Sequence, residues 1–122
     1  MPGLPLISIV DDDDALRNSL DDLIRSIGFR TQGFASAEAF LSSNQARSTA
    51  CLILDVRMGG MNGLELQRQM VAAKWRTPII FITSHADDDA RARALEAGAV
   101  AFLDKPFHEE DLVNALDAAL KR

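Results

Sequence analysis

The chain has no tyrosine, and only one tryptophan, one cysteine and two histidines among its 122 residues. A lone cysteine cannot close an internal disulfide. Cys51, inside the apolar run Cys51-Leu52-Ile53-Leu54, is therefore expected to be a small core residue rather than a redox thiol. His85 and His108 lack metal-ligand spacing and are expected to face solvent. No apolar run approaches the length of a membrane span, and the N-terminus has no charged segment followed by a long hydrophobic one. A cytoplasmic protein without membrane contact is predicted. Positive charge is also in deficit: 13 Lys and Arg against 18 Asp and Glu leave a net charge of -5. That balance gives no basic footprint for direct nucleic-acid binding. What is present is ordinary for a globular protein, with 48% hydrophobic and 25% charged residues. The length is enough to bury a core without staples, so one domain over residues 1–122 is expected.

Short apolar runs alternate with helical patterns, the signature of an α/β fold with a parallel sheet covered on both faces. The first strand is read at Leu6 to Val10, followed by Leu16, Leu20, Leu23, Ile24 and Ile27 on one helical face and a stop at Gly28. A second strand is read near Phe29 to Gly33, with Ser36 capping a short helix that carries Ala39, Phe40 and Leu41. Cys51 to Leu54 is apolar at every position, as a central strand should be, and it ends at Asp55. Leu66, Met70 and Ala73 mark a third helix, and Ile79 to Ile82 a fourth strand ending at Thr83. The fourth helix, roughly Asp87 to Ala97, offers only Leu95 as a large apolar anchor and is expected to dock weakly. After Gly98, Val100 to Leu103 reads as a fifth strand, and Lys105-Pro106-Phe107 leads to a last helix with Leu112, Leu116, Ala119 and Leu120 inward.

Ligands of an open parallel sheet bind where the carboxyl ends of the strands open into loops. Reading strand ends alone selects Asp11 and Asp12, Asp55, Thr83 and Lys105. Three carboxylates in one cleft repel unless one is protonated or a cation sits among them. A hard divalent ion, Mg²⁺ or Mn²⁺, fits oxygen ligands and keeps positions open for water and phosphate. A carboxylate there can act as a nucleophile and form an aspartyl phosphate, its charge neutralised by metal, ammonium and hydroxyl. The neighbouring Asp13 and Asp14 need no such role, because acidic residues at a helix start are favoured by capping and by the helix dipole. Asp87, Asp88 and Asp89 are read the same way.

Four motifs in order, Val10-Asp11-Asp12, Asp55-Val56-Arg57-Met58 with Gly63 following, Ile82-Thr83-Ser84 and Asp104-Lys105-Pro106-Phe107, resemble the receiver domain of two-component response regulators. The resemblance runs from Ile7 to about Leu120 and is nearest to receivers of FixJ-type, nitrogen-fixation regulators. It implies a flavodoxin-like (βα)5 fold with strand order 2-1-3-4-5. It also implies that Asp55 accepts a phosphoryl group from a sensor histidine kinase or histidine phosphotransfer protein. Asp11, Asp12 and Asp55, with the backbone carbonyl of Arg57, would hold Mg²⁺. Thr83 and Lys105 would contact the phosphoryl oxygens, and Thr83 with Phe102 would form the switch. Output would pass through the face of the fourth helix, fifth strand and last helix, to a partner or to a second copy. Such a chain is a phosphoacceptor rather than a turnover enzyme, and is either a stand-alone receiver or the front end of a longer regulator.

The family usually carries proline after the methionine, where this chain has Gly59-Gly60, so a more mobile loop beside Asp55 is expected. Arg57 and His85, two beyond Asp55 and Thr83, would border the path of hydrolytic water. Two rival readings fit the residues less well. Asp11-x-Asp13 superficially matches haloacid-dehalogenase-type phosphatases, but Ala15 stands where that signature has Thr or Val, no acidic pair follows a late strand, and the chain is short. A phosphorylation-independent interaction module of the same fold would not need the complete set of Asp, Thr and Lys.

Overall fold

A computed structural model describes residues 4–84 and 87–121. Its elements alternate as β1 (Leu6–Val10), α1 (Asp14–Ser26), β2 (Arg30–Phe34), α2 (Ala37–Ser42), β3 (Cys51–Asp55), α3 (Gly63–Ala72), β4 (Ile79–Thr83), α4 (Asp88–Glu96), β5 (Ala101–Asp104) and α5 (Glu109–Leu120). All neighbouring strands pair in parallel, in the order β2-β1-β3-β4-β5. This is the predicted flavodoxin-like arrangement.

Side chains alternate across each strand, so one apolar run feeds two cores. Ile7, Ile9, Cys51, Ile53, Ile80 and Ile82 pack with Leu20, Ile24, Leu112 and Leu116 of α1 and α5. Val10, Leu52, Leu54 and Phe81 pack with Phe40, Leu66 and Met70 of α2 and α3. Burial of Cys51 pushes its thiol up to about 12, consistent with an inert core residue. The helix stops at Gly28 and Gly98 have φ of 105° and 104°, where glycine avoids the Cβ penalty. Ser36 caps α2 by accepting from the Ala39 amide at 3.0 Å.

Several boundaries and faces differ from the sequence reading. β2 is shifted by one residue, to Arg30–Phe34, and β5 starts at Ala101 and includes Asp104. Ala39 and Ala73 are exposed, and Ala37 takes the inward place in α2. The largest change is in α4. Leu95 is 44% exposed, and the helix docks through Ala90 and Ala94. Small residues let the backbone approach closely, and the buried Gln67 of α3 donates its side-chain amide to the Ala94 carbonyl at 3.0 Å. A polar tie between helices thus replaces the apolar anchor the sequence suggested. Among the described residues, no helix is long and apolar enough to cross a membrane.

Candidate functional site

Parallel pairing brings the ends of β1, β3, β4 and β5 to one edge. Val10 is in register with Leu54, Asp55 with Ile82, and Thr83 with Asp104, so the residues that follow share a rim. Asp11 is fully buried, Asp55 is 6% exposed and Thr83 1% exposed, whereas Asp12 opens to solvent. One carboxylate oxygen from each of Asp11, Asp12 and Asp55 lies within 4.8 Å of the others. The Lys105 ammonium reaches into this group, 3.1 Å from Asp11 Oδ2 and 3.7 Å from Asp55 Oδ2. Its backbone amide donates to the Thr83 carbonyl at 2.6 Å, which ties the β5 end to the β4 end. The Lys105–Pro106 peptide is cis.

Electrostatics at Asp55 follow from that geometry. Burial pushes its pKa up to about 6, the Asp11 charge adds to the rise, and Lys105 and the Arg57 amide oppose it. The Arg57 N–H donates to Asp55 Oδ1 at 3.2 Å and the Asp13 N–H to Asp11 Oδ1 at 2.9 Å. Backbone dipoles therefore orient both buried carboxylates. One ammonium faces three carboxylates, so the pocket retains excess negative charge. An all-oxygen donor set with surplus charge fits a hard divalent cation.

The adjoining acidic residues behave as the sequence suggested. Asp13 is the N-cap of α1, accepting from the Leu16 amide at 3.2 Å, and Asp14 lies in the first turn. Asp87 caps α4, accepting from the Asp89 and Ala90 amides. Arg57 is exposed and pairs with Asp87 at 3.9 Å, a contact that links the loops after β3 and β4. His85 lies outside the described residues.

Phe102 is buried, 5.9 Å from the Phe81 ring centroid and in the same packed cluster as Ala90 and Ala94. Arg91 of α4 lies over it, its guanidinium 5.0 Å from the ring centroid, and also pairs with Asp104 at 2.9 Å. The aromatic ring therefore already occupies the interior. Arg91 was missed at the sequence level because its partners come from another element.

The loop beside Asp55 is less free than its glycines suggest. Glu38 of α2 accepts from the Met61 amide at 3.1 Å, and this bond holds the Glu38 carboxyl below its usual range. Gly60 has φ of 78°, and a Cβ there would stand 2.9 Å from Glu38 Oε2. A Cβ at Gly59 would meet nothing within 4 Å. Gly60→Ala is expected to destabilise the chain by about 1–2 kcal/mol through the left-handed backbone alone. Gly59→Ala should be neutral or stabilising by up to about 1 kcal/mol. Urea unfolding of the two variants checks this, and equal midpoints would contradict it.

Comparison with known proteins concerns the chain as a whole. A family model described as the response regulator receiver domain matches residues 7–117. Response regulator protein TmoT of Ectopseudomonas mendocina is 48% identical over 116 residues, 95% of this chain and 53% of that protein. Transcriptional regulatory protein FixJ of Bradyrhizobium diazoefficiens is 39% identical over 116 residues, 95% of this chain and 57% of its own length. The crystal structure of FixJ-N superposes with a TM-score of 0.87 at 35% identity, covering 100% of this chain and 97% of that one. The chain spans about half the length of the curated relatives it matches.

Proposed function

Because this chain belongs to the response regulator receiver domain family, we propose that it is a phosphorylation-dependent signalling switch whose phosphoacceptor is Asp55. The observation that carries this reading is the Lys105 ammonium set between the buried Asp11 and Asp55 carboxylates at the edge where four strand ends meet. In this reading a carboxylate oxygen of Asp55 attacks phosphorus, and the bond from phosphorus to the imidazole nitrogen of a phosphohistidine breaks. The donor is a histidine kinase or a histidine phosphotransfer protein.

Each residue then has a task. Asp55 must be ionised to attack, and a pKa of about 6 leaves most of it ionised near pH 7. Lys105 neutralises charge on the phosphoryl oxygens, and the hydroxyl of buried Thr83 donates to one of them. Asp11, Asp12 and Asp55, with the Arg57 carbonyl, would hold Mg²⁺ or Mn²⁺. The bound cation supplies charge neutralisation for the transferring phosphoryl group. Output runs from Thr83 to Phe102 and on to the face of α4, β5 and α5, where a partner or a second copy binds. The polar attachment of α4 through Gln67 makes it an element able to take a second arrangement. The reading gives this domain no direct part in nucleic-acid binding, no turnover activity of its own, and a place in the cytoplasm beside its kinase.

Incubation with acetyl phosphate and Mg²⁺ tests the proposal. Mass spectrometry is expected to record one phosphoryl adduct, lost in Asp55→Asn and when EDTA is added. Absence of labelling under all conditions would instead favour a phosphorylation-independent binding module. Turnover of a generic phosphate ester would favour a phosphatase.

A further inference from the structure

Arg17 lies in the second turn of α1 and is mostly buried, with 20% of its side chain exposed. Its aliphatic stem runs over β2 at Gly33, where an added Cβ would come within 3.1 Å of Arg17 Cδ and 3.2 Å of Cγ. The guanidinium emerges beneath the turn that joins β1 to α1. There Nη1 donates to the backbone carbonyl of Asp11 at 2.7 Å, and Nη2 donates to the Asp14 carboxylate at 2.6 Å.

The Asp11 carbonyl is a telling acceptor. The Asp11 N–H still extends the ladder between β1 and β2, donating to the Phe34 carbonyl at 3.1 Å. Its carbonyl is bound instead by a side chain, at the point where the chain turns toward the helix. The peptide unit from Cα of Asp11 to Cα of Asp12 is planar. Fixing its carbonyl therefore fixes the plane from which both side chains depart. From the other side, the Asp13 N–H holds the Asp11 carboxylate at 2.9 Å.

We infer that Arg17 is a positioning residue for the cation pocket: by clamping the Asp11–Asp12 peptide plane it presets both carboxylates for a divalent ion. The inference rests on the proposal that Asp11 and Asp12 bind that ion. It has a sign that a pure charge effect does not share. A guanidinium close to the acidic cluster opposes cation binding through space, so its removal on charge grounds alone would tighten binding. Loss of positioning loosens it, because groups that orient metal ligands typically account for about 10-fold or more in affinity.

The test is calorimetric titration of the whole unphosphorylated chain with MgCl₂. Arg17→Met keeps the stem and loses both donors and the charge; it is expected to weaken binding about 10-fold. Arg17→Lys keeps the charge but cannot serve Asp11 and Asp14 together, and is expected to fall between the two. Asp14→Ala leaves the clamp on the Asp11 carbonyl in place and should bind within about twofold of wild type, a bound set by the exposed position of Asp14. Circular dichroism establishes that each variant folds; should Arg17→Met not fold, the Arg17→Lys titration decides. Equal or tighter binding in the Arg17 variants overturns the positioning role and leaves the cation site standing. No binding by the wild type overturns both.

Discussion

Asp55→Asn is expected to make the metal-free chain more stable than the wild type at pH 7, by about 1–2 kcal/mol once solvent screening at the open side of the pocket is allowed for, while abolishing phosphoryl acceptance. The wild-type carboxyl has a pKa of about 6, against about 3.9 for an unperturbed aspartate. A pKa raised on folding means that the native state binds the proton more tightly than the unfolded chain. The stabilising contribution of that proton is fully present below about pH 4, is lost as pH rises to about 6, and stays lost above it. Asn has the same shape and no charge, so it removes both the desolvation cost and the repulsion from Asp11. Lys105 keeps a partner in Asp11 at 3.1 Å. Urea unfolding at about pH 4.5 and pH 7.5 should show the wild type losing more stability between these values than Asp55→Asn does. Saturating Mg²⁺ should reduce or reverse the ranking, because a ligand that binds only the native wild type stabilises it. Parallel pH profiles, or an Asn variant no more stable than wild type at pH 7, would count against this account. If the result is as expected, the pocket is a site where stability is given up for function.

Gly63→Ala is the second large effect, and here stability and function fall together. Gly63 opens α3 and donates its amide to the Val56 carbonyl at 2.9 Å. A Cβ at this position would overlap the backbone carbonyl oxygen of Asp55 and lie 3.1 Å from the Val56 Cα. Both obstacles are main chain, so no rotamer change relieves them. Either the start of α3 or the end of β3 has to shift, and the latter carries Asp55, the proposed phosphoacceptor. A loss of about 3 kcal/mol is expected, at the upper end of what overpacking costs. Thermal unfolding measures it, and acetyl phosphate labelling of the folded fraction should slow. A variant within 1 kcal/mol of wild type would mean that the two backbones separate more easily than their contact suggests.

Much of the architecture was legible because strand and helix periods are local properties. Cys51 to Leu54, apolar at every position, read as a strand buried on both faces, and it is one. Asp55, Thr83 and Lys105 could be grouped from the sequence because strand ends of a parallel sheet share one edge, and the structure does bring them to one rim. Gly63 entered as a motif residue with no reason attached, and the reason is a close approach to Asp55 that links two elements. Leu95 misled for the opposite reason. A large apolar side chain is a good prior for burial, but α4 is drawn close to its neighbours by alanines, and close packing turns the leucine outward.

The sequence by itself determined the order and kind of elements, the chemistry available at the strand ends, and the division of Asp11 to Asp14 into pocket and helix cap. These follow from periodicity and from what each residue type can do. Only the tertiary structure decided how those groups act on one another. The placement of Lys105 between two carboxylates, the rise at Asp55, the guanidinium of Arg17 under the Asp11 carbonyl and that of Arg91 over Phe102 all depend on distances between segments far apart in the chain. Coulombic and hydrogen-bond energies vary steeply over a few ångströms, and such distances are fixed by the packing of the sheet and helices as a whole.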